Sequence, residues 1–331
     1  MKWLKSFLSD RHQQVCINSS VSSPLQVYSG VPQGSVIAPF LFSLVFNGIS
    51  ELSYSSSVHL RLFADDKKLF SSDSVDLQHA IICSEKWLTD HQLFLAPEKC
   101  AILKIKKSSV CDNSEFYITG HLVNEAQTFS DLGVIVSNDL KWASHVDNIC
   151  RKASIVSYQL FKSIRSKNIW TWMKLYNTYV RPKVEYNTPV WSPSLTKDIK
   201  KVERIQRYFT KFAFQKCSIP FESYEDRLKK VGYISLEKRR LYFDLVLLFN
   251  IITGNSDLDF NEYFSFTQTS YSLRSHSLQI RPLLNLKSNQ WQTSFFGRVS
   301  TFWNSLPESI VLQTEPKIFK SSLKIYLKSL T

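Results

Sequence analysis

At 331 residues, 44% hydrophobic and 14% aromatic with only 8 Gly and 11 Pro, the chain has apolar surface for about two domains and is too apolar to be disordered throughout. Its net charge of +13 is lopsided: residues 1–140 hold 11 Lys/Arg against 14 Asp/Glu, a net of −3, and residues 141–331 hold 30 against 14, a net of +16. So one-sided a basic excess points to a polyanion, most often nucleic acid, over charge spread only for solubility.

The chain opens on a short helical pattern (Trp3, Phe7, Leu8), with Asp10 and Arg11 too close behind it for a signal peptide. Gln14–Asn18 and Leu25–Ser29 alternate apolar and polar residues and are predicted strands. Gly30–Ser35 is a loop. Val36 to Ile49 is an apolar run of 14 residues that includes Pro39 and Asn47; a spanning helix needs about 20, so Val36–Ser50 is predicted as a buried helix. The protein is expected to be intracellular, in cytoplasm or nucleus, neither secreted nor transmembrane. After a polar linker, Val58–Ala64 and Lys67–Phe70 read as two strands about a two-residue turn. Leu77–Gln92 has a helical period, and Ala101–Lys106, Phe116–Thr119 and Leu132–Val136 are β-rich.

From about 140 the pattern turns helical. His145–Ile164 sets Val146, Ile149, Ala153, Val156, Leu160 and Ile164 on one face. Trp170–Val180 is aromatic-rich and is expected to stop at Pro182. Lys197–Phe214 is a third helix, and Ser235–Thr253 starts on a good N-cap and ends at Gly254. Residues 255–282 are expected to loop, and a last helix runs from Pro316 to Leu330. The fold class is α+β, with a boundary near 137–142 where both charge and patterning change.

Six cysteines at 16, 83, 100, 111, 150 and 217 lack zinc-finger spacing and read as reduced thiols. The sharpest chemical feature is Asp65–Asp66, between two strands. An Asp pair suits any turn, but adjacent carboxylates repel each other, and a divalent cation relieves that repulsion with hard oxygen ligands. The Gly30–Ser35 loop opens the apolar helix; its glycines permit close backbone approach to a flat or charged ligand, and a helix start attracts phosphate. Lys197, Lys200, Lys201, Arg204, Tyr208 and Lys211 share one helical face, and Lys317, Lys320, Lys324 and Lys328 another. Solvated faces usually mix both signs, so these stripes are candidate phosphate contacts.

GVPQGS followed by APFLFSLVFNGI resembles motif B of reverse transcriptases, and LRLFADD resembles motif C. LFLAPEKCAIL is similar to motif D, with Lys99 at its lysine. FSDLGVIVSNDLKWASHVDNICRKA resembles the palm-to-thumb turn and first thumb helix of jockey-like, non-LTR (LINE-type) polymerases, and VRPKVEYNTPVWSP and FWNSLPESIVLQTEPKIFKSSL resemble the same proteins further on. The likeness runs nearly end to end, and GVPQGS with FADD at this spacing is its most specific part.

The resemblance implies a partial palm over 1–137, a helical thumb over 138–215 and a mostly helical C-terminal region over 216–331. It implies that Asp65 and Asp66 are catalytic, metal-binding carboxylates for Mg²⁺, with Mn²⁺ as a substitute. Lys99 would be a proton donor to pyrophosphate, and Gly30, Gln33, Gly34 and Ser35 would line the nucleotide and template pocket. RNA template, DNA primer and dNTP would be the partners. Such polymerases take a third carboxylate from an upstream motif A. The one acid before Gly30 is Asp10, in LSDRHQQV, which resembles the connector between motifs A and B. The chain is therefore expected to be N-terminally truncated, inactive alone, and dependent on another chain for fingers and motif A. Three departures accompany this: Gly48 where the family has Asp, Lys67 where it has Thr, and Ala96 near the motif D asparagine. Lys67, beside Asp66, is expected to compete with metal for the carboxylates. A non-catalytic RNA- or DNA-binding remnant is the alternative reading.

Overall fold

A computed structural model describes residues 2–105, 114–267, 276–283 and 289–330. Lys106, Cys111 and residues 268–275 of the expected loop lie outside the described residues. Packing divides the chain into two units, residues 1–102 with 107–126, and residues 103–106 with 127–331. The elements are helices and small antiparallel two-stranded sheets, an α+β fold.

The first unit begins with α1 (Lys2–Leu8). β1 (Arg11–Gln13) pairs with β4 (Leu25–Val27), and β2 (Cys16–Ile17) pairs with β3 (Ser20–Val21) inside that ribbon. Of the expected strand at 14–18 only Cys16–Ile17 is extended into a pair, and Asn18, with a left-handed φ of 55°, turns the chain into β3. α2 (Ala38–Phe46) leads into a 3₁₀ turn, Asn47–Glu51. The predicted helix there starts two residues late, and it is not buried all round. Ala38, Phe46 and Ile49 face inward, whereas Val36, Phe40, Leu44 and Val45 are more than half exposed. The helix is apolar on every side, but this unit packs only one of its stripes.

β5 (His59–Phe63) and β6 (Asp66–Phe70) form the next hairpin. α3 (Ser74–Asp90) begins about one turn earlier than its apolar period suggests, because the Asp73 carboxylate accepts the Val75 and Asp76 amides at 2.8 and 2.9 Å. The expected strand from Ala101 is reduced to a bridge between Ile102 and Glu125. β7 (Tyr117–Ile118) and β8 (His121–Leu122) close the unit. Two small cores hold it, one around Ile81, Phe116, Ile118 and Val123, the other around Phe46, Ile49 and Leu88.

The second unit starts with the hairpin β9 (Thr128–Asp131) and β10 (Val134–Ser137). α4 (Ala143–Ser163) buries His145, Val146, Ile149, Cys150, Ala153, Ser157 and Phe161. Val156 and Leu160, expected on the inward face, are only half-buried: the inward stripe runs one residue further on, through Ser157 and Phe161. α5 (Ile169–Leu175), a π-helical turn over Tyr176–Val180 and α6 (Arg181–Glu185) then run on without a stop at Pro182. A proline lacks the N–H of a regular helix and its ring crowds the carbonyl four residues back. The widened turn just before it absorbs both defects.

α7 (Thr188–Trp191) and α8 (Thr196–Lys216) follow. α9 (Tyr224–Val231), capped by Ser223 and ended by Gly232, has no counterpart in the sequence reading. α10 (Leu236–Ile252) has the expected Ser235 cap. The stretch expected to loop contains α11 (Phe260–Tyr263) and the pair β11 (Phe264–Phe266) and β12 (Ile280–Pro282). α12 (Asn289–Thr293), α13 (Phe295–Asn304), α14 (Glu308–Val311) and α15 (Pro316–Ser329) complete the chain. One core gathers Val146, Trp172, Trp191 and Phe209; a second gathers Leu245, Phe249, Trp303 and Phe319. Bidentate ion pairs bind the helices together. Arg298 donates to Asp244 at 2.8 and 3.0 Å and to the Pro189 carbonyl at 2.6 Å, and Arg239 grips Glu185.

Candidate functional site

The Asp65–Asp66 pair lies at the tip of the β5–β6 hairpin, shifted by one residue from the sequence reading. Phe63 pairs with Asp66, so the two-residue turn is Ala64–Asp65 and Asp66 already belongs to β6. Ala64 takes φ 51°, a left-handed conformation rare for a residue with a Cβ. Both carboxylates are exposed. Residues directly opposite in an antiparallel pair share a face, and successive residues alternate. Asp66 therefore shares its face with Phe63, Arg61, Lys68 and Phe70. Lys67 shares the other with Leu60, Leu62 and Leu69, which pack on the unit's two cores.

That alternation corrects the expected competition between Lys67 and metal. Lys67 is half-buried, and loss of water pushes its ammonium down to about 8, opposed by the nearby Cys100 thiol and Glu85 carboxylate. Its environment is the interior of the unit. Gly48, where a carboxylate was expected, also has a packing reason: a Cβ there would sit 3.2 Å from Trp87 Cζ2.

Pro32-Gln33-Gly34-Ser35 makes a β-turn, with the Ser35 amide donating to the Pro32 carbonyl at 3.3 Å and its hydroxyl to the same oxygen at 3.0 Å. Gly34 at the third position has φ 84°, which a type II turn requires there. Gln33 is left at the corner. Arg11 anchors the loop from behind, donating from Nη2 to the Gly30 carbonyl at 2.6 Å and from Nε to the Leu8 carbonyl at 3.0 Å. Nothing lies within 4 Å of a Cβ built at Gly30 or Gly34, so the loop face is open. Lys99 ends a 3₁₀ turn, Pro97–Lys99, and is exposed; Ala96 before it offers no side chain to cap that turn.

Two adjacent, exposed carboxylates are the hard donors Mg²⁺ prefers. Among the described residues no group of three or more His, Cys, Asp or Glu could hold a metal ion. The pair by itself would leave a bound ion mostly to water.

The basic faces follow the sequence reading more closely. On α8, Lys197, Lys200, Lys201, Arg204 and Lys211 are exposed, with Val202, Ile205 and Phe209 buried behind them. Both acids of this helix turn inward. Asp198 is buried, and Glu203 accepts from the Tyr224 hydroxyl and from the first amides of α10, Leu236 at 3.2 Å and Glu237 at 3.3 Å. Lys201 is the exception on the outer face, paired with Asp147 of α4. On α15, Lys317, Lys320, Lys324 and Lys328 are all exposed, over a buried stripe of Phe319, Leu323 and Leu327. The sequence reading passed over Tyr179 and Tyr186, both more than half exposed in a basic stretch; exposed aromatics among cations were the available signal.

The family model for reverse transcriptase (RNA-dependent DNA polymerase) matches residues 1–136, a span that holds the Gly30–Ser35 turn, the Asp65–Asp66 hairpin and Lys99. Residues 1–136 are thus similar in sequence to the reverse transcriptase family. Over 61% of its length the chain is similar to the polymerases of jockey-like, non-LTR mobile elements. It is 23% identical over 220 residues to the RNA-directed DNA polymerase from mobile element jockey of Drosophila melanogaster, 61% of this chain and 24% of that protein. It is 26% identical over the same length to the probable RNA-directed DNA polymerase from transposon X-element of that fly, again 24% of the relative. An uncharacterized protein of Caenorhabditis elegans is 29% identical over 125 residues, 38% of this chain and 63% of that protein. The chain thus spans about a quarter of the mobile-element polymerases it matches. No solved structure gives a significant match. Reverse transcriptases generally use a divalent metal ion, and no helix among the described residues is long and apolar enough to cross a membrane.

Proposed function

We propose that this chain is the motif B-to-thumb part of a non-LTR RNA-directed DNA polymerase, contributing two metal-binding carboxylates and a basic nucleic-acid face but not a complete active site. The observation that carries it is the Asp65–Asp66 pair exposed at the tip of a tight hairpin inside reverse-transcriptase sequence. In this reading residues 1–137 are palm, 138–215 thumb and 216–331 the C-terminal region. Asp65 and Asp66 hold one side of a Mg²⁺ or Mn²⁺ site. A metal ion held there would supply the positive charge that activates the primer 3′-hydroxyl and stabilises the leaving pyrophosphate. Gln33 and the open turn at Gly30–Ser35 bound the nucleotide and template pocket, and Lys99 hands a proton to the leaving pyrophosphate. Lys197, Lys200, Lys201, Arg204 and Lys211 of α8, and the lysines of α15, meet template and primer phosphates. In this reading a carboxylate from outside residues 1–331 completes the metal site. The exposed Phe40, Leu44 and Val45 of α2, with Val36 just before it, favour cover by a further surface.

The test has two parts on the purified full chain. Primer extension on an RNA template with Mg²⁺ or Mn²⁺ is expected to give no product. Templated extension abolished by Asp65→Asn would overturn the half-site. Titration of labelled RNA should show affinity falling with salt, with a log–log slope of about −3 to −5 if four to six cations act together. Changing Lys197, Lys200, Lys201 and Arg204 to Gln should flatten that slope while the helix stays folded on its intact apolar face. An unchanged slope would remove α8 from the interface.

A further inference from the structure

We propose that the groove between α4 and the Tyr176–Tyr186 segment binds a strand of single-stranded RNA, through base stacking on tyrosine as well as phosphate contact. It is a different surface from the α8 stripe, although it rests on the reading of this chain as a nucleic-acid binder.

The groove has a volume of about 620 Å³, within the range of a ligand site and enough for a nucleotide or two. Val156, Gln159 and Leu160 of α4 form one wall, and Tyr179, Lys183 and Tyr186 stand on the other. The local structure explains why it is open. The π-helical turn at Tyr176–Val180 widens the chain ahead of Pro182, and the inward stripe of α4 leaves Val156 and Leu160 only half-buried beside it. Such turns are frequent at functional sites. Tyr179 is 53% exposed and Tyr186 57%, so large parts of both rings meet solvent. The Tyr186 hydroxyl is held by the Leu132 carbonyl at 3.0 Å, which fixes its ring in place.

Charge selects the occupant. Lys183 lines the groove, and the sequence around it, residues 151–190, carries eight Lys/Arg and one acid, Glu185. That acid is taken up by Arg181 and Arg239 with its side chain 9% exposed, so no carboxylate of this stretch opposes the cations. An apolar peptide helix would suit Val156 and Leu160 but would leave this excess without a counterpart; a polyanion uses both. A duplex hides its base faces, whereas a single strand offers them to aromatic side chains. Gln159, Ser163 and Thr178 place neutral hydrogen-bonding groups in the groove, where a ribose 2′-hydroxyl has partners and a deoxyribose does not.

The test is fluorescence anisotropy of a short fluorescein-labelled single-stranded RNA on the full chain at several salt concentrations. The Tyr179 side chain makes no hydrogen bond among the described residues, so Tyr179→Ala should fold normally, checked by circular dichroism and melting. It should weaken RNA binding about 5- to 100-fold at every salt concentration with the slope unchanged, as stacking predicts. Tyr179→Phe keeps the ring and should bind like wild type. Lys183→Gln should reduce the slope by about 0.7. Wild-type affinity in Tyr179→Ala alongside lost affinity in the α8 quadruple variant would overturn the groove while leaving the proposed function standing. Equal binding of single-stranded DNA of the same sequence would overturn the assignment to RNA. If wild-type chain binds no RNA even at low salt, the broader nucleic-acid reading fails and the groove with it.

Discussion

The unit that carries Asp65 and Asp66 and the unit that carries the basic helices are held together on different terms. Among its described residues the first is built from four two-stranded antiparallel pairs and three α-helices, with cores of four and three buried residues, and exposes apolar side chains at Val36, Phe40, Leu44 and Val45. The second buries nineteen residues in one core and fifteen in another, including Trp172, Trp191 and Trp303, with buried ion pairs between helices. Burial of apolar area is the main favourable term in folding, so the basic unit is stable on its own account and the acidic unit is only lightly stabilised. The two carboxylates proposed to bind metal therefore sit on the more lightly packed scaffold. A tip on a light scaffold suits a site completed by other surfaces.

The strongest way to break this contrast is to cut into the better core. Phe209 is fully buried and packs against Phe161, Trp172 and Tyr176 with ring centroids 4.8, 6.4 and 5.0 Å away. Phe209→Ala should cost about 3–5 kcal/mol, the usual range for deleting a buried aromatic ring. Amide exchange should accelerate through α4, α5 and α8 while β5–β6 and α3 are unchanged. A loss spread equally over both units would show that they unfold together and that the contrast in burial does not govern stability.

Next in size is a pH effect confined to the basic unit. His145 is 1% exposed; its Nδ1 accepts the Ile135 amide of β10 at 3.1 Å, and its ring tilts against Trp191. Burial, helped by the nearby Lys152, holds the imidazole down at about 4. The unfolded chain takes up that proton near pH 6.5 and the folded chain does not. Stability from this residue is thus full above about 6.5 and is lost as pH falls toward 4, by up to about 3 kcal/mol. Urea unfolding followed by tryptophan fluorescence across that window should show the fall. His145→Gln should lose most of it relative to wild type. Identical pH dependence in the two proteins would mean the histidine is protonated in place.

How much of this was legible in the sequence depended on whether local chemistry or tertiary cover decided the outcome. The Ser235 cap and Gly254 end of α10, the α8 stripe and the hairpin around Asp65 all rest on short-range signals, and the structure has them. The fate of Val36–Ser50 rests on what covers it, which its uniform apolar pattern does not encode. Val156 and Leu160 fail for a related reason: several stripes on α4 are apolar, and packing chose the one through Ser157, whose hydroxyl returns to the Ala153 carbonyl at 2.7 Å. The continuation through Pro182 was hidden because a π turn has no simple sequence period. At the candidate site the carboxylates were readable, but the inward placement of Lys67 needed the register of β5 against β6. The groove at Tyr179 was unreadable without knowing that α4 and α6 pack side by side.

The smallest effect concerns the tip itself. Ala64 adopts φ 51° in the two-residue turn that presents Asp65. A left-handed residue with a Cβ costs about 1–2 kcal/mol, and glycine removes that cost. Glycine also gives the unfolded chain more freedom, which takes back about 0.5–1 kcal/mol. The difference favours Ala64→Gly by about 0.5–1 kcal/mol, a shift the lightly cored unit should register clearly and the basic unit not at all. Exchange of the β5–β6 amides, such as those of Leu62 and Lys68, should slow by roughly two- to fivefold, since 1.4 kcal/mol is tenfold. Neither carboxylate is altered, so the slowing would isolate backbone strain from charge. Faster exchange would mean that unfolded-state freedom outweighs the strain, and that the turn at Ala64 carries less tension than its φ implies. Slower exchange of the predicted size would identify the turn before Asp65 as a place where this unit gives up stability to hold two carboxylates at an exposed tip.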